Sequence, residues 1–166
     1  MVIPKEEWER RIFAEFAAAA GLRLDAGSIK SGTPPEPDIR FSIGGVQCWA
    51  ELVEITDEDL ARRQTISLKT GAITGGSFSQ SVPLERAVRL KAMKKYETKG
   101  SPLGLLAYYD KQFPAVEVEP DLIPRIIGDL AAQMVASGAW ANVWVYDNWR
   151  KAVLWRCSGD PVSENA

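Results

Sequence analysis

The chain has 166 residues and no histidine. Much enzyme chemistry at neutral pH runs through imidazole, so its absence excludes Ser-His and Cys-His nucleophile pairs, His-bearing zinc sites and the histidine-dependent nucleases. Carboxylate, lysine and Mg²⁺ chemistry is left, or no chemistry at all. Cysteine is scarce too, with Cys48 and Cys157 the only two. They lack CxxC spacing, are too few for a disulfide framework, and lie in apolar runs, so both read as reduced core cysteines. Positive charge is not in excess: Lys+Arg 20 against Asp+Glu 22 gives a net charge of -2 and a pI near 5.3. A protein held to nucleic acid by non-specific phosphate contacts is usually basic, so any such contact here needs a local patch. No apolar run approaches a membrane span, and the first residues lack the basic-then-apolar order of a leader; no membrane and a cytoplasmic location are expected. What is present, 46% apolar and 25% charged residues, is the balance of a globule that buries a real core. One domain over residues 1–157 is expected, with 158–166 a flexible tail.

Apolar residues Trp8, Ile12, Phe13, Phe16 and Ala20 recur at helical spacing between Pro4 and Gly21, which suit a first turn and a C-terminal stop. Leu22 to Leu24 reads as a short strand and the Ser/Gly/Pro-rich stretch 27–37 as a loop. Asp38 to Ile43 alternates, Val46 to Ile55 is rich in β-formers, and Gly44-Gly45 between them fits a two-residue hairpin turn. Residues 56–82 open on an acidic stretch and continue as a long Gly/Ser/Thr-rich loop, a length that in a compact domain signals function or disorder. A second helix is predicted over Pro83 to Lys99, a strand over Leu103 to Tyr109, and a third helix from Glu119-Pro120-Asp121 to about Ser137. Two strands, Ala141 to Tyr146 and Lys151 to Arg156, flank a turn at Asp147-Asn148. The order α-β-β-β-α-β-α-β-β predicts an α/β fold, a central mixed sheet with helices on both faces.

Counted outward from the Gly44-Gly45 turn, Asp38 falls directly opposite Glu51 on the neighbouring strand. Two facing carboxylates are costly unless a cation joins them, and two hard oxygen ligands beside a phosphate are how Mg²⁺ or Mn²⁺ is commonly held. The alternative places Asp38 past the strand end in solvent and Glu51 on a stray arginine. Glu54 also ends a strand, but its hairpin partner would be Pro35, so Glu51 is preferred. The aromatics Trp144, Tyr146, Trp149 and Trp155 of the last hairpin fit core packing better than a stacking platform.

Pro37-Asp38, twelve intervening residues and Glu51-Leu52-Val53 are similar to the motif of the PD-(D/E)XK nuclease superfamily, the restriction-endonuclease-like fold, and the resemblance spans most of the chain. It implies a Mg²⁺- or Mn²⁺-dependent nuclease acting on DNA or RNA, with Asp38 and Glu51 as catalytic and metal-binding residues. The family's lysine belongs where this chain has Val53. In several branches that lysine lies on the following helix, where Lys91 and Lys95 fall within roughly 40° of the apolar Leu84 and Val88. Lys91 is therefore expected to supply the missing cation, and Lys91→Ala to abolish cleavage with little loss of stability; the alternative is that both lysines lay their stems along the core edge with their heads in water. Glu9 lies within the apolar arc of the first helix and would complete the metal shell, with Glu15 as second choice; the alternative is a surface glutamate paired with a neighbouring cation. Arg62, Arg63, Lys69 and Lys95 would contact the nucleic-acid backbone. A second function class stays open: the same fold without catalysis, as a nucleic-acid-binding or protein-interaction module, for which Val53 and the acidic pI speak. Oligomeric state is left open, a homodimer included.

Overall fold

The structure, a computed structural model, describes residues 2–56, 81–110 and 118–159, excepting the side chains of 81 and 82. Within them the elements run α1 (Lys5–Ala20), β1 (Lys30–Ser31), β2 (Ile39–Ile43), β3 (Val46–Glu54), α2 (Ser81–Ala92), β4 (Leu103–Tyr109), α3 (Ile123–Ala136, entered through a 3₁₀ turn at Pro120–Leu122), β5 (Asn142–Asp147) and β6 (Ala152–Ser158). The six strands form one sheet in the order β1-β2-β3-β4-β5-β6. Pairing is parallel for β3/β4 and β4/β5 and antiparallel elsewhere, so the mixed α/β fold expected from the element order is what the chain adopts. Among the described residues no helix is long and apolar enough to cross a membrane.

The pleat assigns side chains to the two faces. Leu84, Ala87 and Val88 of α2 and Ile123, Ile127, Ala131 and Met134 of α3 pack with Trp49, Leu103, Leu105, Ala107, Val143 and Val145 on one face. On the other, Ile12, Phe13 and Phe16 of α1 meet Ile39, Phe41, Ala50, Leu52, Leu106, Tyr108, Trp144 and Tyr146. Two successive parallel crossovers stepping the same way along the sheet put α2 and α3 on the same face, leaving the other to α1. Each large apolar side chain so buried contributes roughly 1.5–3 kcal/mol. Gly21, at φ 70, stops α1 with its N–H on the Ala17 and Ala18 carbonyls. Trp144 and Tyr146 are core residues as expected, whereas Trp149 on the last turn is exposed. Cys48 and Cys157 are free but only half-buried, at the margins of the two cores rather than inside them.

Most boundaries fall within two residues of the sequence reading, and two elements differ by more. The first short strand is Lys30–Ser31, paired with β2 through Lys30↔Arg40 and Ser31↔Ile39, while Leu22 and Leu24 pack against the α1-side core. And α2 ends at Ala92, seven residues before Lys99. Beyond it the chain turns, with the Lys94 N–H on the Lys91 carbonyl (3.1 Å), and the Glu97 N–H reaches the Pro35 carbonyl (3.1 Å), a tertiary bond that a continued helix would forbid.

Candidate active site

The β2–β3 hairpin turns at Gly44-Gly45, at φ 56 and φ 79, the left-handed pair a type I′ turn demands and glycine supplies without strain. Its register, Ile43↔Val46 through Ile39↔Ala50, extends by one step to Asp38 opposite Glu51, and by alternation both lie on the α2 side of the sheet. They are bonded reciprocally: the Asp38 N–H donates to Glu51 Oε2 at 3.0 Å, and the Leu52 N–H donates to Asp38 Oδ2 at 2.9 Å. Asp38 thus extends the hairpin ladder with its side chain where β2 begins. Its loop is held from behind, because the Gly32 N–H bonds the Asp38 carbonyl at 2.9 Å and a Cβ on Gly32 would come within 1.9 Å of the Pro37 carbonyl oxygen.

Lys91 comes down from the last turn of α2 onto this pair. Its Nζ lies 2.5 Å from Glu51 Oε1, with side-chain exposures of 16% for Lys91 and 5% for Glu51, so the ion pair is largely out of water. The snorkelling alternative therefore does not describe Lys91. The Tyr96 hydroxyl donates to the same Oε1 at 2.9 Å. Burial raises the Glu51 carboxyl above its ordinary range and the nearby Asp38 charge adds to this, while Lys91 and Tyr96 pull it back. Burial, then the Glu51 charge, raises the Tyr96 phenol, which stays a proton donor at any physiological pH. Nothing local in the sequence marks Tyr96: it lies past the end of α2, and only the tertiary turn of residues 93–98 brings it to Glu51.

Glu9 is buried, 8% exposed, and its partner is Lys5 at 3.3 Å, so it is not a surface glutamate. Desolvation raises its carboxyl, with the Asp38 charge next in size and that of Glu51 smaller, which sets it near the other two acids. It is nevertheless carried by α1, on the far face of the sheet, and among the described residues no group of three or more His, Cys, Asp or Glu side chains is placed to hold one metal ion. The expected three-carboxylate shell is not assembled; Asp38 and Glu51 stand as a pair. Glu15 is turned to Arg11 and Lys151 in ion pairs. Lys95 is exposed on the turn after α2, and Arg62, Arg63 and Lys69 lie outside the described residues.

A second acidic pair sits on the α1 side. Glu54 ends β3 opposite Tyr108, and Asp110 follows two residues later. Glu54 Oε1 and Asp110 Oδ2 are both buried without a hydrogen-bond partner. Burial, and then the Asp110 charge, pushes Glu54 up to about 7. The local signal for this pair is an acid at the C-terminal end of each of two parallel strands, but their adjacency depends on a crossover of about fifty residues.

As potential donors, Asp38 and Glu51 suit a hard cation: an ionised carboxylate has about four acceptor positions, of which Asp38 uses one and Glu51 three in the bonds above. Comparison with protein-family models, with curated proteins and with solved structures gives no match, so the geometry alone carries the functional argument.

Proposed function

We propose that the chain is a metal-dependent nuclease of the restriction-endonuclease-like type, hydrolysing phosphodiester bonds in nucleic acid. The observation that carries this reading is the chain of contacts Asp38–Glu51–Lys91, two facing carboxylates and a desolvated ammonium at 2.5 Å from one of them, with Lys91 supplying from α2 the cation that Val53 cannot. Asp38 and Glu51 would hold Mg²⁺ or Mn²⁺, which supplies Lewis-acid neutralisation of phosphate charge and a lowered water pKa. Lys91, fixed by Glu51, is positioned to offer a proton-bearing ammonium to negative charge developing on the phosphate oxygens. Tyr96 holds Glu51 in its rotamer and stays protonated.

One observation favours the non-catalytic module instead: Lys91 already neutralises Glu51 within the protein, and Tyr96 bonds the same carboxylate oxygen. The two readings separate in a cleavage assay on single- and double-stranded DNA and RNA with Mg²⁺ or Mn²⁺. A nuclease requires metal-dependent cleavage that Asp38→Asn abolishes and Lys91→Ala lowers by on the order of a hundred-fold or more, the usual loss when one electrostatic stabiliser is removed. Intact substrates in every wild-type reaction would leave the binding module, and full activity in Lys91→Ala would remove Lys91 from the mechanism.

A further inference from the structure

Directly behind Tyr96 lies a cavity of about 580 Å³, walled by Lys94, Lys95, Tyr96 and Thr98 on one side and by Gly138 to Ala141, with Trp140, on the other. The volume falls in the range of about 300–1,000 Å³ that small organic ligands fill. Its lining holds two lysines and no carboxylate, in a chain whose net charge is -2. Both lysines are exposed, and neither ammonium has an acidic partner among the described residues. Tyr96 is the part-exposed aromatic of this lining, and the Trp140 ring, 3% exposed, backs it edge-on from the core with centroids 5.9 Å apart. Tyr96 belongs to both places at once: its ring lines the cavity and its hydroxyl is bonded to Glu51. The Glu97–Pro35 backbone bond fastens the same turn to the loop that carries Asp38.

We infer that this cavity receives one unpaired nucleotide of a single-stranded nucleic acid, its phosphate between the Lys94 and Lys95 ammoniums and its base against Tyr96, next to the bond addressed by Asp38, Glu51 and Lys91. The placement beside the scissile bond rests on the nuclease reading; the recognition itself does not. A base inside a duplex is stacked on both faces and cannot enter such a pocket unless it is extruded, whereas a single strand offers its bases freely. Two cations with no competing carboxylate select a phosphate-bearing ligand, and the Tyr96 ring selects one with a flat ring over a bare anion. Tyr96 then couples the two sites, because a nucleotide seated against its ring borders the residue that orients Glu51.

The test is fluorescence anisotropy of a fluorescein-labelled ten-nucleotide oligothymidylate, and of the same strand in a duplex, in EDTA so that nothing is cleaved. The proteins are the full chain, the Lys94→Ala/Lys95→Ala double variant, and a Lys30→Ala/Arg156→Ala control that removes two exposed positive charges elsewhere. The single strand is expected to bind more tightly than the duplex. The double variant is expected to lose about tenfold or more in affinity and to flatten the slope of log affinity on log salt by about 1.4, two contacts at roughly 0.7 each. The control should bind within about twofold of wild type, and the melting temperatures of all three should agree, since the four substituted side chains are exposed. Equal binding of strand and duplex, an equal loss in the control, or an unchanged salt slope in the double variant would overturn the inference. The nuclease reading fails separately: a wild type that binds with the expected lysine dependence but cleaves nothing in Mn²⁺ keeps this site and loses that one, and cleavage with an unchanged KM in the double variant does the reverse.

Discussion

At the scale of single residues, the balance of charge and burial around Glu51 decides what Lys91 is for. Sequence patterning suggests a lysine stranded at a core edge, whose removal would cost little stability. The contact at 2.5 Å with a carboxylate only 5% exposed reverses that expectation, because truncating one partner of a buried pair leaves the other charge desolvated. Lys91→Ala is therefore expected to lose about 1–3 kcal/mol at pH 8 in urea unfolding, the cost of leaving a buried group without its partner, and less at pH 5, where the already raised Glu51 takes up a proton more readily. An equal loss at both pH values would show that packing of the lysine stem, not charge, is what the substitution removes. Glu54 gives the cleaner pH test. Its folded value, about 7, lies above that of an unfolded glutamate at ~4.3. The folded state then binds the extra proton, so the stability from Glu54 is complete below pH 4 and is lost as pH rises through 7. Glu54→Gln should stabilise the protein by about 1–2 kcal/mol at pH 8, after discounting the shift for partial exposure, and by close to nothing at pH 4, where an unfolded glutamate is itself mostly protonated. A stabilisation independent of pH would mean that an amide hydrogen bond, for instance to Asp110, had replaced the charge effect.

At the scale of elements, the hairpin was legible because its information is local: two glycines fix a turn, the turn fixes a register, and the register puts Asp38 opposite Glu51. The stripe Leu84, Val88, Lys91 was legible for the same reason, since helical period alone turns these residues toward the sheet. The stop of α2 at Ala92, the seat of Tyr96 and the Glu54–Asp110 pair were not, because each is settled by a contact between segments far apart in the chain. β1 belongs with them, its two residues being strand only because β2 lies beside them. Gly32 shows how such a contact reaches the candidate site. With a Cβ at 1.9 Å from the Pro37 carbonyl oxygen, Gly32→Ala must push back the loop that presents Asp38, since backbone atoms cannot swing aside as a side-chain tip does. We expect a loss of about 1–3 kcal/mol, the usual range for overpacking, together with loss of any metal response. A Gly32→Ala protein as stable as wild type, with metal response intact, would show that the Asp38 loop has slack which the close packing denies.

At the scale of the whole molecule, the fold sets the carboxylates Asp38 and Glu51 side by side, and the consequence is measurable without knowing the substrate. Asp38 and Glu51 face each other on one side of the sheet, and their mutual repulsion, already acting to raise Glu51, is a cost borne only by the folded chain. A divalent ion bound between them removes that cost and adds its own linkage, RT ln(1 + [L]/Kd), which is about 1.4 kcal/mol at ten times Kd. For a domain of 166 residues, that corresponds to a rise in Tm of roughly 3–6 °C. Lys91 works against it, because the ammonium already neutralises much of the charge on Glu51 and an incoming ion must share the carboxylate with it; binding should accordingly be weak. Two variants separate these contributions in calorimetry with and without millimolar Mn²⁺. Asp38→Asn keeps the shape of the site but removes the charge that Lys91 does not reach through a hydrogen bond, and it should abolish the rise in Tm. Lys91→Met removes the competitor and keeps most of the apolar stem, and it should enlarge the rise even as the metal-free protein loses stability. A rise of the same size in wild type and Asp38→Asn would place the ion elsewhere, and a smaller rise in Lys91→Met would make the lysine a support of the metal site instead of its rival.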